Sequence, residues 1–216
     1  MHHFTMFRVA GILLGASIGF NMACMSSASS VSARKEAPKM MYDFRNMASL
    51  DNWRESSDTV RTPGMSKGAF VIQKSQLFQR AVLFSMLNPQ PNGAGFVGFA
   101  TDDGWDLSHY SGIELKVRAQ GENFHYKVNF RHKGQREGDG SPSYEAHYEV
   151  PKNEWTVITI PFTEFKPYFR GAPLPDEDPL DTSDITSVIL QITGGVYETY
   201  KQRGASSLEI DYIQAV

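Results

Sequence analysis

The stretch EWTVITIPFTEFKPYFRG, residues 154–171, decides the fold class. From Trp155 to Phe162 the apolar residues Ile158, Ile160 and Phe162 fall at every second position with Thr159 between them. That is the period of a half-buried β-strand. Pro161 has no N–H to give to a ladder, so the strand is expected to end there, and Phe165, Pro167 and Arg170-Gly171 read as an irregular segment opening a long loop. Trp155, at the head of the strand, reads as a buried structural ring.

Working outward, Ile113, Leu115 and Val117 alternate with Glu114, Lys116 and Arg118, the cleanest two-residue period in the chain. Tyr126, Val128 and Phe130 repeat it against Lys127, Asn129 and Arg131, implying a partner strand. Tyr144, Ala146, Tyr148 and Val150 repeat it again after the polar loop KGQREGDGSPS, residues 133–143. Loop and flanking strands therefore read as a long hairpin with one buried and one wet face. Ala69 to Ile72 and Ala81 to Met86 read as two further strands. Gly95 to Ala100 reads as one that passes close to a neighbour, Val188 to Thr193 as a central strand, and Leu208 to Ile213 as the last. Leu180 to Ile185 reads as one helical turn. Roughly nine or ten short strands without useful helical periodicity describe an all-β, antiparallel β-sandwich of jelly-roll type.

The chain has 216 residues, a formal charge of −3, 41% hydrophobic and 21% charged residues. Those values suit one folded domain and argue against a nucleic-acid partner. Residues 1–33 contain no Asp or Glu, carry Arg8 before the apolar run Val9 to Phe20, and turn Ser-rich, as a targeting segment does. Their order slightly favours a secretory signal, with a mitochondrial transit peptide as the alternative. The apolar run is shorter than the roughly 20 residues of a spanning helix, so no membrane span is expected in the mature chain. Residues 34–40 read as a linker and 41–216 as the sandwich. The single cysteine, Cys24, lies in the leader, which leaves the domain without a disulfide or a thiolate metal site.

Motifs for chemistry are sparse. The chain has no P-loop, no Gly-x-Gly-x-x-Gly, no Gly-x-Ser-x-Gly elbow and no His-Glu-x-x-His, so no cofactor or metal and no catalysis are expected. The histidines at 125, 132 and 147 lie on or beside the hairpin, and those at 125 and 147, whose neighbours are charged, read as surface residues rather than as a metal site. The carboxylates between Asp176 and Asp184 read as a solvated acidic loop, because Pro175 and Pro179 flank the first of them and no Gly lies inside. A structural calcium stays open. Trp105, Tyr110, Trp155, Tyr168 and Phe169 are the candidates for a sugar-stacking platform, set against a core that must absorb most aromatics. The candidate binding residues are Lys127, Asn129, Arg131 and His147 on the hairpin, with Tyr168 and Arg170 beyond the strand of the opening stretch.

Several short motifs, in order, resemble one family. They are Asp43-Phe44 with Trp53, Asp106-Leu-Ser-x-Tyr-x-Gly-Ile-x-Leu-x-Val-Arg118, and Trp155 to Phe165. Arg170-Gly171, Leu180-Asp181-x-x-x-Ile185 and Leu208-Glu-Ile-Asp-Tyr-Ile213 follow. Together they resemble the complex I intermediate-associated protein 30 family. The resemblance implies a galactose-binding-like β-sandwich, no catalysis, and a chaperone-like assembly role in mitochondria with complex I subunits or assembly intermediates as partners. Where that family carries Gly-Gly-x-Ser, this chain has Thr62-Pro63-Gly64-Met65-Ser66. The reading from residues alone keeps a secreted carbohydrate- or ligand-binding module as the alternative.

Mass spectrometry of the native protein is expected to find a chain that starts after Ala23, Ala28 or Ala33. An intact Met1 would overturn the targeting reading.

Overall fold

Strands that are apolar on one face only need a second layer to cover that face, and thirteen strands form two antiparallel sheets in a computed structural model that describes residues 36–216. The targeting segment assigned to residues 1–33 lies outside the described residues. Sheet A runs β3 (Lys67–Lys74), β4 (Gln79–Leu87), β13 (Gly204–Ala215), β6 (Gly112–Gly121), β9 (Thr156–Pro161), with β1 (Lys39–Asp43) also on β13. Sheet B runs β11 (Ala172–Pro173), β10 (Lys166–Phe169), β8 (Ser143–Glu149), β7 (His125–His132), β12 (Ile185–Thr193), β5 (Phe96–Thr101), β2 (Arg54–Ser57). The all-β sandwich read from the alternation is the fold observed.

Between the sheets lie Leu83, Leu115, Val117, Leu208 and Ile210 from sheet A, and Val128, Phe130, Tyr144, Leu190 and Ile192 from sheet B. One end is closed by an aromatic cluster in which Tyr42 and Phe70 each pack edge-on to Trp53 at 5.2 Å, and Trp105 donates Nε1–H to the Tyr42 hydroxyl at 3.1 Å. Asp43 and Phe44 open the domain for separate reasons. Phe44 is buried in that cluster, and Asp43 accepts hydrogen bonds from the Arg45 N–H and the Asn46 amide to shape the next turn.

The central strand and the close approach are where the apolar run 188–193 and the glycines of 95–100 put them. β12 lies between β7 and β5, and a Cβ on Gly98 would stand 2.3 Å from the Leu190 carbonyl oxygen, so only glycine fits. Pro161 ends β9, an edge strand paired with β6 alone.

Three expectations about the course of the chain are corrected. The partner of β7 is not the preceding strand: β6 belongs to sheet A, and the chain crosses the sandwich through Glu122 to Phe124, anchored by the buried Asn123. Residues 180–185 form a turn rather than a helical turn, because the Asp181 carboxylate accepts from Ser183 N–H and Oγ, an Asx turn that competes with a helix. Arg170 and Gly171 are not irregular: both have left-handed φ, 51° and 82°, and form the two-residue turn of the β10–β11 hairpin.

Trp155 is half-buried on the outer face of sheet A, where Arg80, Lys116 and Arg118 stand 4.8, 5.6 and 5.1 Å from its ring. Its position at the head of an edge strand explains this, since the second layer covers only the inner face. Exposed cation–π contacts are each worth about 0.5–1 kcal/mol, and three cations that repel one another around one ring do not add in full, so Trp155→Ala is expected to cost about 1–2 kcal/mol by chemical denaturation. A loss of 3 kcal/mol or more, the range of a fully buried ring, would overturn the half-buried placement.

Candidate functional site

The long β7–β8 hairpin brings Lys127, Asn129, Arg131 and His147 to one face of sheet B. The register sets Lys127 opposite His147 and Asn129 opposite Glu145. Tyr168 of β10 joins them, opposite Ser143 and with its ring centre 6.1 Å from that of His147. Arg170 stands apart at the β10–β11 turn, stacked over Phe169.

This face is not wet. Lys127, Asn129 and Arg131 are only 7%, 3% and 8% exposed. Alternation told which side chains point away from the core but not what the loops do. Loop 133–142 folds back over the face, held by Arg131, whose guanidinium donates to the Pro142 carbonyl and pairs with Glu137, both at 2.7 Å. Glu137 in turn accepts from Ser56 of β2, so the loop is strapped across the sheet. Lys127 is ion-paired with Glu145, which also accepts from Ser143. The result is a layer of paired charges in which two polar atoms, Asn129 Oδ1 and Arg131 Nε, have no hydrogen-bond partner.

The layer opens at His147 and Tyr168. Next to them lies a surface pocket of about 660 Å³, lined mainly by apolar groups: Phe162, Phe165, Tyr168, Leu174, Pro175 and Leu180. Phe165 and Leu180 tie its floor to the core, while Pro167, Pro173, Pro175 and Pro179 supply its walls. Such a volume suits one or two apolar side chains or a small ligand. Of the predicted site residues only Tyr168 lines it. Sequence reading missed the rest, although the spacing of the four prolines was a signal of a rigid wall.

The five platform aromatics are not brought together. Trp105, edge-on to Tyr42, and Tyr110 both pack half-buried against the core, Trp155 is on the opposite sheet, and Tyr168 and Phe169 are successive on β10. Among the described residues no group of three His, Cys, Asp or Glu side chains is placed to hold a metal ion. None of their helices is long and apolar enough to cross a membrane.

Two antiparallel sheets packed face to face, with the pocket at one end of sheet B, define an antiparallel β-sandwich. The sequence pattern of the complex I intermediate-associated protein 30 (CIA30) family matches residues 42–210, and the chain belongs to that family. An uncharacterized protein of Schizosaccharomyces pombe is 30% identical over 156 residues, covering 66% of this chain and 71% of that protein. Among solved structures, a family 11 carbohydrate-binding module from Clostridium thermocellum, in complex with a mixed-linked β-1,3-1,4 tetrasaccharide, superposes with a TM-score of 0.59 at 18% identity. The match covers 83% of this chain and 95% of that one. A family 11 module of a cellulosomal cellulase from the same organism gives 0.58 at 17%, covering 83% and 94%. Likeness at that identity speaks for the fold, a jelly-roll sandwich.

Two histidines beside these surfaces titrate below their ordinary value, burial being the main cause for both. Lys133 adds to it at His132 and Lys127 at His147, against the opposing carboxylates Asp181, Asp184 and Glu177 at the first and Glu145 and Glu198 at the second. His132, 4% exposed, also accepts the Asp181 N–H at Nδ1, 2.8 Å away, a bond that protonation would break. The unfolded chain then binds more protons than the folded one between the depressed values and about 6.5, so stability rises with pH across that window and is complete above it. The urea midpoint is expected to fall from pH 7.5 to pH 5, and less steeply in His132→Gln. A midpoint that rises on acidification, or an unchanged slope in the variant, would overturn this assignment.

Proposed function

We propose that this chain binds without catalysing, and that it does so as an assembly factor holding polypeptides of unfinished respiratory complex I in mitochondria. The observation that carries the reading is the pocket beside Tyr168. It is open and apolar, its floor is fixed to the core by Phe165 and Leu180, and its walls are stiffened by four prolines. A pocket of this kind takes an apolar anchor from a partner surface at little cost in ordering. Family membership supports the choice of partner, since the family is named for association with a complex I intermediate. His147, Tyr168 and Arg170 are proposed as the polar surroundings of the partner, with the buried Lys127, Asn129 and Arg131 as the layer that supports them.

A second reading is a secreted carbohydrate-binding module. The open end of the polar layer favours it: His147 and Tyr168, with ring centres 6.1 Å apart, offer hydrogen bonding and stacking to a neutral, hydroxyl-rich ligand. The likeness to modules that include one solved with a tetrasaccharide supports the same reading.

Full-length protein tagged at the C-terminus and recovered from its own compartment separates the two. Complex I subunits are expected to co-purify from mitochondria, and Leu174→Asp, at the half-buried pocket wall, is expected to cut their recovery about tenfold or more. Secretion with retention on a glycan array, lost in Tyr168→Ala, would replace the assembly reading by the carbohydrate one.

A further inference from the structure

The pocket occupies one end of sheet B; the outer face of sheet A carries a different kind of surface. Among the described residues eleven large hydrophobic side chains are exposed, and five of them, Val71, Leu77, Phe78, Phe84 and Met86, belong to the β3–β4 hairpin. Phe84 is 49% and Met86 54% exposed. The register puts Ala69 against Phe84 and Val71 against Val82, so the apolar side chains adjoin across the two strands. Solvent-facing sheet surfaces are normally polar, so an apolar group of this size points to a covered state.

Among the described residues β3 is also a free edge, paired with β4 alone. It runs for eight residues without proline. The other open-edged strands are shorter: β1 has five residues and a bulge, β2 four, β11 two, and β9 six ending in Pro161. A long, regular edge leaves backbone N–H and C=O groups free to pair with an added strand.

Charge selects the occupant. Lys67 and Lys74 stand at the two ends of β3. Among the described residues the Lys67 side chain, 64% exposed, meets only the Glu55 carboxylate, at 3.3 Å, and Lys74 has no ion pair. Further along the face, Arg80 and Arg118 share one carboxylate, Glu209. Antiparallel pairing with a second copy would place Lys67 opposite Lys74 twice, and like charges directly opposite are destabilising.

We propose that the β3 edge and the outer face of the β3–β4 hairpin accept an extended strand of a partner protein, apolar at alternate positions and with a carboxylate toward each end. The proposal rests on the reading of this chain as a protein-binding factor and supplies a second contact, on the sheet opposite the pocket.

The probe is a synthetic octapeptide with valine at alternate positions, threonine between them and glutamate at both ends, titrated into the full chain and followed by fluorescence anisotropy. Saturable binding is expected, about tenfold weaker in Phe84→Asp. Lys67→Glu combined with Lys74→Glu should shift preference to the same peptide with lysine ends. Met86→Lys replaces Phe84→Asp if circular dichroism shows the latter unfolded. No saturable binding, or binding indifferent to these changes, overturns the proposal. In the co-purification assay, loss of complex I subunits in Leu174→Asp but not in Phe84→Asp would remove this contact and leave the assembly reading standing. Absence of those subunits from the unaltered protein would remove that reading, while peptide binding would still decide the edge.

Discussion

The pairing of β13 with both neighbours is the constraint on which the rest of the structure depends. The last strand of the chain, Gly204–Ala215, lies inside sheet A with β6 on one side and β4 followed by β1 on the other. Sheet A therefore has no continuous core face until residues more than a hundred positions apart have met. Leu208, Ile210 and Ile213 then bury against sheet B. Glu209 on the outer face binds Arg80 of β4 together with Arg118 and Gln120 of β6, joining three strands through one carboxylate. Such non-local pairing is entropically costly to nucleate, and the closing strand carries both the apolar and the ionic parts of its return.

How far the sequence can be read follows from the same geometry. Alternation is a property of one strand, so β6, β7, β8 and the residues they bury were legible directly. Gly98 and Pro161 were legible because each has one backbone reason to be where it is. Which strands pair is not a local property: β6 and β7 look like partners yet lie in different sheets, since the crossover at Asn123 is shorter than any pattern would flag. Burial of the outer face was equally hidden. Lys127 and Arg131 have the sequence appearance of solvated cations, and only the return of loop 133–142 onto Glu137 and Ser56 makes them interior.

Several motif residues carry structure rather than recognition. Ser66 donates its N–H and Oγ to the two carboxylate oxygens of the buried Asp58, both at 2.8 Å, and a Cβ on Gly64 would lie 1.9 Å from the Asp58 carbonyl oxygen. The Gly and Ser retained between positions 62 and 66 are thus explained by one turn packed on one aspartate. Gly171 has the positive φ that the tight β10–β11 turn demands, and Arg170 shares it at greater steric cost. Matching a family by such residues certifies the sandwich before it says anything about a partner.

What distinguishes the pocket is the chemistry of its wall. A loop that lines an apolar cavity must hide or pair every backbone N–H it carries there, and proline has none to hide. Pro167 and Pro173 on β10 and β11, with Pro175 and Pro179 in the loop beyond, remove four such donors from the lining, and their fixed φ leaves less freedom to lose when an occupant arrives. The acidic run between Pro175 and Pro179 is exposed, which keeps a loop with so much apolar surface soluble. The same segment that reads as irregular, because proline breaks both helix and ladder, is therefore well suited to present a preformed apolar surface. Irregularity in the hydrogen-bonding pattern and order in the binding surface have one cause.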